Sequence, residues 1–120
     1  MKLRIFGSNI RLRLSKTEVE RFKNGNGISN QLTFPNGNSL TYRLAEGTDN
    51  TVSYDHDVIT IVLCEQEVEI WANSDQVGIK AQIPMDNGNT IGVLVEKDFQ
   101  CLTNKEEDQS DFYPNPKDSH

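Results

Sequence analysis

The chain has 120 residues, of which 35% are hydrophobic, and a net charge of −6. That length suits one domain or two small intertwined units, burying about two-thirds of the unfolded surface without help from metals or disulfides. No stretch reaches the roughly 20 apolar residues of a membrane-spanning helix. Met1 to Ile5 reads as the start of a strand rather than an export signal, so the expected compartment is the cytoplasm and Cys64 and Cys101 are expected as free thiols.

Residues 2–6 and 10–14 alternate with period two. Leu3, Ile5, Ile10, Leu12 and Leu14 take one face, and Lys2, Arg4, Arg11 and Arg13 the other. A two-residue Gly7-Ser8 turn pairs Arg4 with Arg11 and Lys2 with Arg13, and glycine first suits a type II′ geometry. Ser15 and Glu18 form a capping box that opens a short helix. Val19 and Phe22 are its apolar stripe, and Gly25 its terminator. Leu32 and Phe34 are then expected opposite Tyr42 and Leu40, across a three-residue loop at 36–38 that ends in a bulge.

A second set follows in the same order. Val52 and Tyr54 pair with Ile61 and Ile59 around Asp55-His56-Asp57. A helix spans about residues 65–72, with Val68 and Trp71 inward and Glu65, Glu67 and Glu69 near its positive end. Val77, Ile79, Ala81 and Ile83 then pair with Val95, Val93 and Ile91 around Asn87-Gly88. Residues 103–120 contribute only Phe112 and Tyr113 to the apolar count and cannot fold alone.

The two sets match when the chain is slid by 49 residues. Ile10, Leu14, Glu18, Val19, Glu20, Asn24 and Pro35 fall on Ile59, Leu63, Glu67, Val68, Glu69, Asn73 and Pro84. With Met85 and Asp86 taken as two extra residues, Asn36-Gly37-Asn38 falls on Asn87-Gly88-Asn89. The expectation is an α+β, mainly antiparallel β fold. Residues 1–102 form one domain of two pseudo-repeated ββαββ halves, 1–46 and 47–102, with an acidic polar tail at 103–120. Two half-buried four-stranded units would close on each other as an eight-stranded barrel or a two-layer structure edged by two short helices.

Charge is unevenly placed, with net +5 over residues 1–46 and net −8 over residues 47–99. The strongest chemical candidate is the cation stripe of Lys2, Arg4, Arg11 and Arg13, because like charges opposite one another in a hairpin repel. Either an anionic ligand sits over it, or Glu96 and Asp98 on the last strand, with the helix glutamates in reserve, neutralise it internally. The repeat puts Thr60 and Val62 where Arg11 and Arg13 stand, so the basic face is expected on one half only. Asp75 and Gln76 are cap and turn residues at a loop where a barrel would bind a ligand. His56 stands between two aspartates at a turn with no nucleophile placed beside it. No metal spacing, cofactor motif or catalytic motif occurs, so no catalytic residue, metal ligand or cofactor is assigned.

The stretches Ile10–Val19, Trp71 with Ser74–Gly78, Leu94–Phe99 and Asp111–Pro116 resemble a family of small bacterial proteins of unknown function. That resemblance spans most of the chain and carries no activity. The strand-strand-helix-strand-strand order, with the second strand running into the helix, is also similar to the AbrB-like swapped-hairpin barrels. That likeness implies DNA binding through Arg4, Arg11 and Arg13 and a toxin-wrapping role for the tail, although a half of net −8 would repel DNA. The expected function is a cytoplasmic, non-catalytic binding module with a protein partner. A nucleic-acid-binding regulator or antitoxin is the first alternative. An enzyme or binder for a phosphorylated small molecule, using Glu96 and Asp98 on a metal beside Arg4 or Arg11, is the second.

Overall fold

The structure, a computed structural model, describes residues 1–99. The tail at 103–120 and Cys101 lie outside the described residues. Eight strands and two helices run in the order β1 (Lys2–Phe6), β2 (Asn9–Leu14), α1 (Lys16–Lys23), β3 (Ile28–Thr33), β4 (Ser39–Gly47), β5 (Thr51–Asp55), β6 (Val58–Cys64), α2 (Glu65–Ala72), β7 (Gly78–Pro84) and β8 (Thr90–Lys97).

Turn chemistry sets the hairpins. Gly7 at φ +56° makes the two-residue turn that pairs Lys2 with Arg13 and Arg4 with Arg11. His56 and Asp57, both at positive φ, do the same for β5 and β6, pairing Val52 with Ile61 and Tyr54 with Ile59. Between β3 and β4 the loop is three residues, but it spans 35–37 rather than 36–38. The Phe34 amide donates to the Asn38 carbonyl and the Gly37 amide to the Phe34 carbonyl. Leu32 therefore faces Leu40, not Tyr42. The third loop position takes a left-handed backbone, and Gly37, at φ +90°, adopts it more readily than Asn38 would. The register slips by two residues, so every side chain keeps its expected face.

The β7–β8 turn repeats this geometry. Met85 donates to Asn89 and Gly88 to Met85, with Gly88 at φ +88°. Phe34 thus matches Met85, an offset of 51. Ile28 and Ile79, each 3% exposed, match at the same offset. The helices Lys16–Lys23 and Glu65–Ala72 stand 49 apart, so the path from helix to following strand is two residues longer the second time. Val77, expected in the strand, lies before it and is 51% exposed.

The strands form two four-stranded sheets, ordered β1-β2-β8-β7 (sheet A) and β3-β4-β6-β5 (sheet B). Neither half keeps its own four strands, and no barrel closes among the described residues. Each helix carries the chain off one sheet and onto the other: α1 packs against β2 and β3, and α2 against β6 and β7. Every hairpin therefore lies beside one from the other half. The two central contacts, β2 with β8 and β4 with β6, are parallel, so the sheets are mixed rather than antiparallel throughout. Among the described residues, no further strand pairs with the four edge strands, β1, β7, β3 and β5.

The core joins both sheets to both helices. Leu12, Leu14, Phe22, Leu44, Ile61, Leu63, Val68, Trp71 and Val95 are all under 2% exposed. The Ser15 capping box is complete, with the Glu18 amide donating to Ser15 Oγ at 3.3 Å and the Ser15 amide to Glu18 Oε1 at 2.9 Å. Glu18 also pairs with the Met1 ammonium. Partial burial pushes its carboxyl up, but the hydrogen bonds from that ammonium and from Ser15 outweigh it and hold the group below its usual range. Ser15→Ala is expected to cost about 1 kcal/mol in urea unfolding. An unchanged midpoint would mean the cap contributes nothing to the fold.

Candidate functional site

The sheet A residues that point away from the core form a grid set by register. One row across the four strands is Lys2, Arg13, Glu96 and Gly78. The next is Arg4, Arg11, Leu94 and Lys80, and the third is Phe6, Asn9, Gly92 and Gln82. The basic face is thus built by both halves, contrary to expectation: exchange of hairpins brings Lys80 and Leu94 beside Arg4 and Arg11.

The first row is neutralised. Glu96, directly opposite Arg13, takes it at 2.9 Å and reaches Arg11 at 3.5 Å. Asp98, one step past the strand, pairs with Lys2 at 2.8 Å. That Lys2 hydrogen bond holds the Asp98 carboxyl below its usual range. A carboxylate whose folded pKa is lowered stabilises the fold above its unfolded pKa, and the contribution fades as pH falls through the folded value. Titrating Asp98 by carboxyl NMR should therefore give a lower midpoint in the wild type than in Lys2→Ala. Equal midpoints would show that the pair does not form in solution.

The second row is different. Arg11 reaches Glu96 only at the longer distance, and no carboxylate lies within 4 Å of Arg4 or Lys80 among the described residues. A shallow groove of about 710 Å³ runs over the second and third rows, lined by Arg4, Phe6, Asn9, Arg11, Lys80 and Leu94 among others. Gly92 forms its floor. A Cβ there would stand 2.3 Å from Asn9 Oδ1 and 3.3 Å from Gln82 Nε2, so the absence of a side chain lets the two amides close over the strand. Phe6, 75% exposed, stands at the rim.

The other candidates lie apart from this face. Gln76 is a turn residue, its side chain donating to the Gly78 carbonyl at 2.9 Å; Asp75 precedes it on the same exposed loop, and neither lines the groove. Two of the glutamates of α2 do not approach the cations: Glu65 and Glu69 crowd Glu46, whose carboxyl is pushed up by burial and by their charges. His56 contacts Asp55 at 2.9 Å on an exposed turn. Trp71 is core, its Nε1 donating to the Val77 carbonyl. No group of three or more His, Cys, Asp or Glu side chains is placed to hold a metal among the described residues. No helix there is long and apolar enough to cross a membrane.

Sequence alternation alone put Lys80 and Gln82 on the outward face of their strand, but not on this sheet. Phe6 was visible as the polar-face neighbour of Arg4, without the groove that makes it notable.

Fold and face together define a mixed two-sheet α+β protein with one basic outer sheet face. The chain belongs to a family of unknown function (DUF7009), whose model matches residues 1–117. No curated protein and no solved structure matches it.

Proposed function

We propose that this chain is a non-catalytic binding module that docks an acidic protein partner on the outer face of sheet A. The observation that carries the reading is the row Arg4, Arg11, Leu94 and Lys80, three cations sharing a single long contact to Glu96 among the described residues. Leu94 and the exposed Phe6 lie among the arginines, and aromatic and arginine anchors beside an apolar centre are the composition of binding hot spots. The rest of the chain is acidic, which disfavours a polyphosphate backbone more than a compact acidic surface.

We also infer that the halves arose by duplication. In support, Arg11 faces Leu94 as Thr60 faces Arg43, and the positions equivalent to Arg4 and Lys80 are Ser53 and Ser29, aligned in the matching row of sheet B. Of two equivalent faces, one has become basic. The exchange of hairpins favours the second reading, a nucleic-acid binder similar to the AbrB-like proteins.

Fluorescence anisotropy separates the two readings, using an acidic peptide and a DNA duplex of equal charge. The peptide is expected to bind more tightly, with affinity that falls as salt rises. Tighter DNA binding, lost in Arg4→Ala plus Lys80→Ala, would replace this proposal with the nucleic-acid reading.

A further inference from the structure

The spacing of the second row points to the sequence of the partner, an inference that rests on the acidic-partner reading. Adjacent strands lie about 4.8 Å apart, so Arg4 and Lys80, separated by three strand gaps, stand roughly 14 Å apart across the sheet. Each is exposed, and neither meets a carboxylate among the described residues. Arg11, between them, is already shared with Glu96. The face therefore offers two open cations at its ends and a partly satisfied one inside.

Leu94, half-buried, occupies the third column. An extended peptide advances about 3.4 Å per residue and shows every second side chain to the same surface. Residues i and i+4 of such a peptide are then about 13.5 Å apart, close to the span from Arg4 to Lys80. Residue i+2 comes down between the Arg11 stem and Leu94. Arg stems present apolar surface there.

We infer that sheet A takes an extended segment crossing its strands, with carboxylates at i and i+4 and an apolar residue at i+2. One carboxylate meets Arg4 and the other Lys80. The apolar side chain covers Leu94. Phe6 and the amides of Asn9 and Gln82 border the segment on the third row. Glu96 keeps Arg11 occupied, so a third, central carboxylate is disfavoured.

Two synthetic decapeptides of identical composition test this. One carries Glu-Ser-Leu-Ser-Glu between glycine-serine flanks; the other carries Glu-Glu-Leu-Ser-Ser. Binding is followed by amide chemical shifts of the full chain at low salt, with peptide up to millimolar concentration. The spaced peptide is expected to bind at least about five-fold more tightly. Arg4→Ala and Lys80→Ala should each remove most of that preference, while Lys2→Ala, on the neutralised row, should leave it. Equal affinities for the two peptides would overturn the spacing inference and leave acidic capture standing. Binding of neither peptide would overturn both.

Discussion

Trp71→Ala is expected to destabilise the protein by about 3–5 kcal/mol, the largest effect of any single substitution considered. Trp71 is 0% exposed and is the largest fully buried side chain. It sits on α2, whose neighbours include β6, β7 and α1, so it fills space where both sheets and both helices meet. Truncation loses the buried ring and leaves the Val77 carbonyl without the indole N–H that reaches it at 2.9 Å. It also removes the surface beneath Lys97, whose ammonium lies 5.9 Å from the ring centroid. Domains of this kind have only about 5–15 kcal/mol in hand, so much of the molecule should unfold near 37 °C. Trp71→Phe keeps most of the volume and should cost less, about 1–2 kcal/mol for the lost hydrogen bond and residual space. Urea unfolding midpoints at constant slope measure both. A cost under 1 kcal/mol for the alanine variant would mean that α2 does not seat in the core as described.

The second large effect is on binding. Arg4→Glu together with Lys80→Glu is expected to weaken capture of a spaced acidic peptide by about 100-fold or more. Each reversal turns an attraction into a repulsion, and like charges brought together at an interface cost several kcal/mol. A combined loss of roughly 3 kcal/mol already gives about 100-fold. Both side chains are exposed and off the core, so the unfolding free energy should change by no more than about 0.5 kcal/mol. Placing glutamates instead at Ser29 and Ser53, at the two ends of the row Ser29, Arg43, Thr60 and Ser53 on sheet B, should leave binding within a few-fold of wild type. Unchanged affinity in the sheet A variant would remove that face from the account.

Local chemistry was legible and long-range pairing was not. Gly7-Ser8 and His56-Asp57 dictate two-residue turns, so the registers of β1–β2 and β5–β6 follow from the sequence. The capping box and the Val19–Phe22 and Val68–Trp71 stripes likewise define both helices. The β3–β4 register slipped because hydrophobic alternation is indifferent to a two-residue shift, and only the left-handed demand at Gly37 decides it. The parallel contacts left no local mark. Ile10, Leu12 and Leu14 alternate in the same way whether β8 or any other strand lies beside them. Charge alone put Glu96 and Asp98 forward as counter-charges for the cation stripe, but which cation each meets, Lys2 for Asp98 and Arg13 for Glu96, is set by the parallel register. The open row could not, because Lys80 joins Arg4 only once the hairpins exchange.

The central claim is that an acidic partner docks on the outer face of sheet A. Its most direct test is a map of amide and side-chain NMR shifts during titration with the spaced acidic peptide. The account predicts changes clustered at Arg4, Phe6, Asn9, Arg11, Lys80, Gln82 and Leu94, with Ser29, Arg43, Ser53 and Thr60 unmoved. Changes centred on sheet B, or spread evenly over every exposed cation, would contradict it.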